Sequence, residues 1–309
     1  MKCATRQLTF QIADNTAKFI DLAECLSLVN RRLYKQGALY GVESFSWRAA
    51  VAGLDMDVIS IPTNWAVFQS WAKAKFLWDK VNRQPEIDRS QFPKYHDFKV
   101  FFDAAHYVSR TSISTNQLPI DGGGALFSNI GREWDYSQYV SADASPPQED
   151  ACHMLGGNSV VANAALGTDG SFGIIQGYSE TRVTVGAQEP ELPGDASVSW
   201  QTNLFPEAEI NTDILHHLEN VNDRPPYGHA LDLQGGDNPI YVGGSESGTG
   251  GHQMVLIAPQ ATESAYAPGG EVPCGLLKIQ PAGPGTFTVN MSPGSYNGVA
   301  AIPMGKVET

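Results

Sequence analysis

Few residues in this 309-residue chain sit at spacings that could do chemistry. Ser70-Trp71-Ala72-Lys73 matches the Ser-x-x-Lys of serine acyl-enzymes, where the lysine helps activate the hydroxyl. Neither Ser-Asp-Asn nor Lys-Thr-Gly accompanies it. Both side chains read as polar-face residues of a helix, not as a nucleophile and its base. Gly244-Ser245-Glu246-Ser247-Gly248 has the glycine frame of a nucleophile elbow but a glutamate where the nucleophile belongs. Asp121-Gly122-Gly123-Gly124 could form an anion-binding nest, yet no Lys-Ser/Thr follows and no helix opens there, so nucleotide binding has no support.

The histidines fare no better. His216 and His217 are adjacent on an expected helix and point about 100° apart, so they do not serve one metal together. Asp213 and His217, at i and i+4, could share a ligand, but a salt-bridged helix surface explains them better. His96 with Asp97, His106 and His252 flank expected strands without a serine or cysteine nucleophile in reach of the linear pattern. Paired carboxylates of the glycosidase kind depend on the fold, and 33 acidic residues supply many chance pairs. The reading is therefore of a non-enzyme with no catalytic residues, no cofactor and no metal.

The elements that would carry any site are mostly strands. Only three glycines and three prolines precede residue 111, leaving 28 glycines and 16 prolines after it. Short runs punctuated by turn residues are the pattern of sandwiches and barrels. Strands are expected at 8–12, 39–51, 56–61, 98–102, 173–178, 181–185, 198–202, 240–242, 254–258, 276–279, 286–291 and 299–302. A helix is expected from a Thr63 cap to Arg83. Val67, Trp71, Ala74, Trp78 and Val81 form one apolar stripe, and Trp65, Phe68, Ala72 and Phe76 flank it. A second helix is expected over 212–222 and an earlier helical stretch over 17–33. Both strong helices end in Val-Asn and a following proline, 140 residues apart (81 to 221), which suggests a duplicated plan of two β-domains. The stretch 110–170 reads as loop.

Charge is uneven. Residues 1–110 hold 15 of the 20 basic residues against 11 acidic ones, whereas the rest holds 5 against 22. The one local basic cluster, Arg31, Arg32 and Lys35, is too short for sequence-specific readout of nucleic acid. It suits a generic anionic surface, either lipid headgroups or a genome. Cys3, Cys25, Cys152 and Cys274 are widely spaced with no Cys-x-x-Cys, so they are expected to be reduced. No apolar run approaches the roughly 18 residues of a membrane span, and Asp14, Asp21 and Glu24 interrupt the most hydrophobic early stretch. Synthesis in a cytoplasm is expected. Trp47, Trp134 and Trp200 are candidates for a sugar-stacking platform, with core filling as the competing explanation.

Three stretches carry a family resemblance: Val29-Asn30-Arg31-Arg32-Leu33-Tyr34-Lys35-Gln36-Gly37, Pro62-Thr63-Asn64-Trp65 with its helix, and Lys94-Tyr95-His96-Asp97-Phe98. Through them the chain resembles the double jelly-roll major capsid proteins of tailless, icosahedral, membrane-containing phages, such as the lipid-containing single-stranded DNA phage of Flavobacterium. The resemblance implies a mainly β fold of two jelly-roll sandwiches, each with one inserted helix, plus a short N-terminal helix. The first domain would be 1–177 and the second 178–309. It also implies a homotrimer that tiles a virion shell with neighbouring trimers and a vertex protein. Arg31, Arg32 and Lys35 would then face membrane headgroups or the genome. The alternatives are a β-sandwich carbohydrate-binding or glycan-active protein and a surface attachment protein.

Overall fold

A computed structural model describes residues 4–83, 97–109, 116–127, 134–141, 148–157, 159–160, 170–178, 243–244, 252–259 and 264–307. The expected strands at 181–185, 198–202 and 240–242, and the helix at 212–222 on which the duplication rests, lie outside these residues.

The chain divides into two compact units, the first formed by Met1–Thr63, Ser109–Asp135 and Gly251–Glu308, the second by Asn64–Val108 and Tyr136–Gly250. This is not the sequential division at 177/178 that the sequence suggested. The cause is visible in the first unit, where β1 (Gln7–Ile12) pairs antiparallel with β14 (Gly285–Met291), so both ends of the chain share one sheet.

The first unit is mainly β. One sheet runs β1-β14-β3-β11, with β3 spanning Ala38–Ala49 and β11 spanning Ser264–Pro268. The short β12 (Glu271–Pro273) and β16 (Ala301–Pro303) both pair antiparallel with the first residues of β3. The second sheet runs β10-β4-β13-β2, from His252–Ile257, Met56–Ser60, Leu276–Pro281 and Lys18–Asp21. Alternation is clearest in β1 and β14. In β14, Phe287, Val289 and Met291 are buried while Thr286, Thr288 and Asn290 are half-buried on the other face.

Phe10, Phe45, Trp47 and Phe287 of the first sheet share one buried cluster with Ile20, Met56, Val58, Leu277 and Ile279 of the second. The unit is therefore a β-sandwich. Phe45 stacks on Phe287 at 5.9 Å, and the Trp47 indole N–H donates to the Leu54 carbonyl at 2.8 Å, so the largest core side chain leaves no polar atom unpaired. A Cβ at Gly285 would collide with the Trp47 ring, which accounts for glycine there.

Residues 116–127 return to this unit. Gln117 N–H donates to Phe19 O at 2.7 Å and Ile120 N–H to Thr9 O at 2.8 Å, placing polypeptide on the open edges of β2 and β1.

Two expectations shift here. The stretch 17–33 is not one helix, because Phe19 and Ile20 are claimed by the sheet and the Asp21 carboxylate caps α1 (Leu22–Asn30), accepting from the N–H groups of Ala23 and Glu24. The strand expected at 299–302 pairs as β16, Ala301–Pro303, following β15 (Pro293–Tyr296) and a two-residue turn in which Asn297 and Gly298 both take positive φ, the geometry tight hairpins require.

In the second unit α2 spans Trp65–Arg83 and is capped by Asn64, one residue later than expected, whose Oδ1 accepts the Val67 N–H at 2.9 Å. Val67, Trp71, Ala74 and Trp78 are buried as the stripe required, and so are Trp65 and Phe68, while Phe76 is exposed. A sheet runs β5-β7-β9-β8 with β6 beside β7, from Phe101–Asp103, Gln148–Leu155, Gly170–Gly173, Ser159–Val160 and Gln138–Ser141. Three of these strands lie inside the stretch expected to be loop. The sequence Gln-Glu-Asp-Ala-Cys-His-Met-Leu of β7 has weak β propensity and is held as a strand by parallel partners on both sides. After β9 the chain turns helical over 174–178, where a strand was expected. Ile174, Ile175 and Tyr178 are buried at i, i+1 and i+4, a spacing that suits a helix face. The Tyr139 hydroxyl donates to the Ala74 carbonyl at 2.7 Å, and a five-residue helix, α3 (Ala104–Val108), follows β5.

Candidate functional site

The three basic residues singled out in the sequence lie on the connection between α1 and β3. Helix α1 stops at Arg31, which takes the left-handed conformation at φ 54°, and the N–H groups of Arg31 and Arg32 both turn back to Ser27 O. From there buried and exposed residues interleave: Arg31, Arg32 and Lys35 are exposed, Tyr34 and Gln36 fully buried.

Each buried residue is a pin. The Tyr34 hydroxyl donates to Asn297 O at 2.9 Å, its backbone N–H donates to Ser27 Oγ at 2.9 Å, and its ring meets Tyr296 edge-on at 5.9 Å. Lys35 is held by its backbone on both sides, its N–H donating to the Tyr296 hydroxyl at 3.0 Å and its carbonyl accepting from the Tyr40 hydroxyl at 2.6 Å. The Gln36 amide donates to Asp21 Oδ2 at 2.8 Å, and the Trp134 indole donates to the same oxygen at 3.1 Å. Among the described residues none of the three basic side chains is in an ion pair. The loop therefore presents three cations on a backbone that is already ordered, so an anionic surface would bind without the cost of ordering a flexible segment.

The electrostatics beneath the loop differ from those on it. Burial raises the Asp21 carboxyl to about 6 against the opposing pull of the Gln36, Glu24, Trp134 and Ala23 hydrogen bonds. Burial also raises the Tyr34 phenol, with the nearby Arg32 charge opposing.

The other sequence candidates resolve into structural roles. Ser70 and Lys73 are both fully buried, not on a polar face; Ser70 Oγ donates back to Val67 O at 3.0 Å, and Lys73 Nζ lies 5.2 Å from the centre of the Tyr178 ring. The nest at Asp121 is filled from within, because the Asp121 carboxylate accepts from the N–H groups of Gly123 and Ala125 at 2.8 and 2.9 Å. His106 is buried and accepts the Phe102 N–H at its Nδ1, while its backbone N–H donates to Asp103 Oδ1. Trp47 is core, and Trp134 is partly buried with its N–H engaged by Asp21, so neither forms a sugar platform. Trp200, Ser245, His96, Asp213, His216 and His217 lie outside the described residues. Cys25, Cys152 and Cys274 are buried and outside any disulfide.

One pair was missed in the sequence. His153 on β7 and Ser171 on β9 are 18 residues apart, and strand pairing brings His153 Nδ1 to 2.6 Å from Ser171 Oγ, while Nε2 lies 3.1 Å from Gly157 O. With Nε2–H donating to the carbonyl, Nδ1 accepts the serine proton, which is the hydrogen-bonding half of a nucleophile and base. Both side chains are fully buried, and burial lowers the imidazole to about 4, so the pair serves as a dry internal bond. No spacing rule would have found it, since only the β7–β9 pairing creates it.

Among the described residues no helix is long and apolar enough to cross a membrane. Set against family models, curated proteins and solved structures, the chain matches none.

Proposed function

We propose that this chain is a major capsid protein, a shell subunit that associates into trimers and tiles a closed icosahedral particle around lipid and genome. The observation that carries the reading is the strand order of the first unit. Counting its eight principal strands in chain order as β1, β2, β3, β4, β10, β11, β13 and β14, one sheet is first-eighth-third-sixth and the other is fifth-fourth-seventh-second. That is the order of a jelly roll, an architecture used in viral capsids and also in lectins and cupins. Between the fourth and fifth strands of the sandwich the chain builds the second unit, coming back to the first only over Ser109–Asp135. The described sheet of the second unit contains parallel pairs, β5 with β7 and β7 with β9, which an antiparallel jelly roll lacks. The reading therefore rests on the strand order of the first unit alone.

The pinned basic loop supplies the inward contact. Arg31, Arg32 and Lys35 meet anionic headgroups as point charges on a fixed frame, each contributing about 1 kcal/mol near such a surface. Repetition over many subunits turns this small term into firm attachment. Electron microscopy of the purified chain tests the assembly: closed particles or hexagonal sheets are expected, and a monomer at every concentration overturns it. Flotation with anionic vesicles tests the loop. Arg31→Glu with Arg32→Glu should abolish co-flotation while leaving the circular dichroism unchanged, and undiminished flotation removes the placement.

A further inference from the structure

The outer face of the β1-β14-β3-β11 sheet is polar. Its central row reads Thr9, Thr288, Ser46, Tyr266 across the four strands, and the Tyr266 ring is 79% exposed, the most exposed large hydrophobic side chain among the described residues. Next to that row lies a cleft of about 390 Å³, bordered by Arg6, Gln7, Glu43, Ser44 and Asn290. A β-bulge shapes it. Ser44 pairs with Asn290 and Val42 with Met291, which leaves Glu43 as the extra residue, and its exposed side chain borders the cleft. Bulges re-aim side chains in this way beside binding sites. Tyr266 lies opposite Ser46 and so is the diagonal neighbour of Ser44, roughly 7–8 Å away, about the width of one sugar ring.

We propose that this cleft and Tyr266 together bind a neutral carbohydrate. The chemistry of the lining selects the ligand. Arg6 and Glu43 carry opposite charges, so the cleft has no net preference for an ion. Glu43 accepts from adjacent hydroxyl groups, Arg6 donates, and Gln7, Ser44 and Asn290 do both. The Asn290 amide is already oriented, donating to Ser44 Oγ at 3.0 Å, which leaves its carbonyl oxygen for a sugar hydroxyl. An exposed, flat aromatic beside such a cleft stacks on the apolar face of a pyranose. The volume lies at the small end of ligand pockets, which suits one or two rings. The cleft is shallow, so single-site affinity is weak and useful binding would come from many copies. The binding itself does not depend on the shell reading.

Saturation-transfer NMR on the full chain, with a panel of neutral hexoses and N-acetylhexosamines and with sialic acid as the anionic control, tests it. At least one neutral sugar should show transfer, and Tyr266→Ala and Glu43→Gln should each weaken it roughly tenfold. Tyr266→Phe should retain it, and unchanged circular dichroism certifies each variant as folded. No transfer from any neutral sugar to the folded wild-type chain, transfer from sialic acid alone, or equal binding by the variants would overturn the proposal. Loss of particle assembly in Tyr266→Ala with sugar binding intact would also overturn it, since the face would then be a contact between copies.

Discussion

Asp21 couples the stability of the first unit to pH, and replacing it with asparagine should remove the coupling. In the folded chain its carboxyl is raised from 3.8 to about 6, with burial as the dominant cause. A group raised on folding stabilises the protein fully below its unfolded value, and that stability is lost as pH rises through the folded value. At about 1.4 kcal/mol per unit, the rise is worth about 3 kcal/mol. Roughly 2 kcal/mol of this returns between about pH 7.5 and about pH 4.5, a change of roughly thirtyfold in the opening equilibrium.

Cys25 lies on α1, four residues beyond Asp21, and Cys274 directly follows β12; both are buried and outside any disulfide. Their labelling by dithiodipyridine, which reacts in acid, reports opening of the first unit when read peptide by peptide and corrected for the unfolded chain. Wild-type protection at both thiols should rise on acidification by about that factor. In Asp21→Asn the Oδ1 cap to Ala23 and Glu24 survives, and the Gln36 amide can flip to accept from the new Nδ2. The Trp134 indole loses its acceptor, which lowers stability at all pH values by about 1–3 kcal/mol. The pH slope should vanish. An unchanged slope in the variant, or flat protection in the wild type, would refute the assignment of the raised carboxyl to Asp21.

The second unit should respond to acid in the opposite sense. His153 is lowered to about 4 by burial, so the stability gained from its neutral form is complete above 6.5 and lost as pH falls towards 4, about 3 kcal/mol in full. Labelling of Cys152, its buried neighbour on β7, should accelerate over that range in the wild type and lose its pH dependence in His153→Gln. Asn64→Ala should destabilise the second unit by about 1 kcal/mol through loss of the α2 cap, whereas Asn64→Asp should be tolerated; urea titration followed by circular dichroism distinguishes them.

Local physics was enough to specify several elements. Strands β1, β3 and β14 were legible because alternating apolar residues have only one face to bury, β13 because Leu276, Leu277 and Ile279 form a short apolar run, and α2 because Val67, Trp71, Ala74 and Trp78 recur at helical spacing. The weakness of Ser70-x-x-Lys73 and of the Asp121 nest as chemistry was also legible, since the partners each mechanism needs are absent from the chain. What the sequence could not contain were relations between distant residues. The pairing of β1 with β14 spans almost the whole chain, and it draws the unit boundaries where no linker composition marks them. The burial of Ser70 and Lys73, the His153–Ser171 bond and the strand state of β7 all depend on neighbours that only folding supplies. The basic loop shows both levels at once. Arg31, Arg32 and Lys35 announce a cationic surface in one dimension, but their stiffness comes from a Tyr34 hydroxyl reaching Asn297, 263 residues away, and from a carboxylate buried beneath them. Charge is a property of the residue, whereas preorganisation is a property of its contacts.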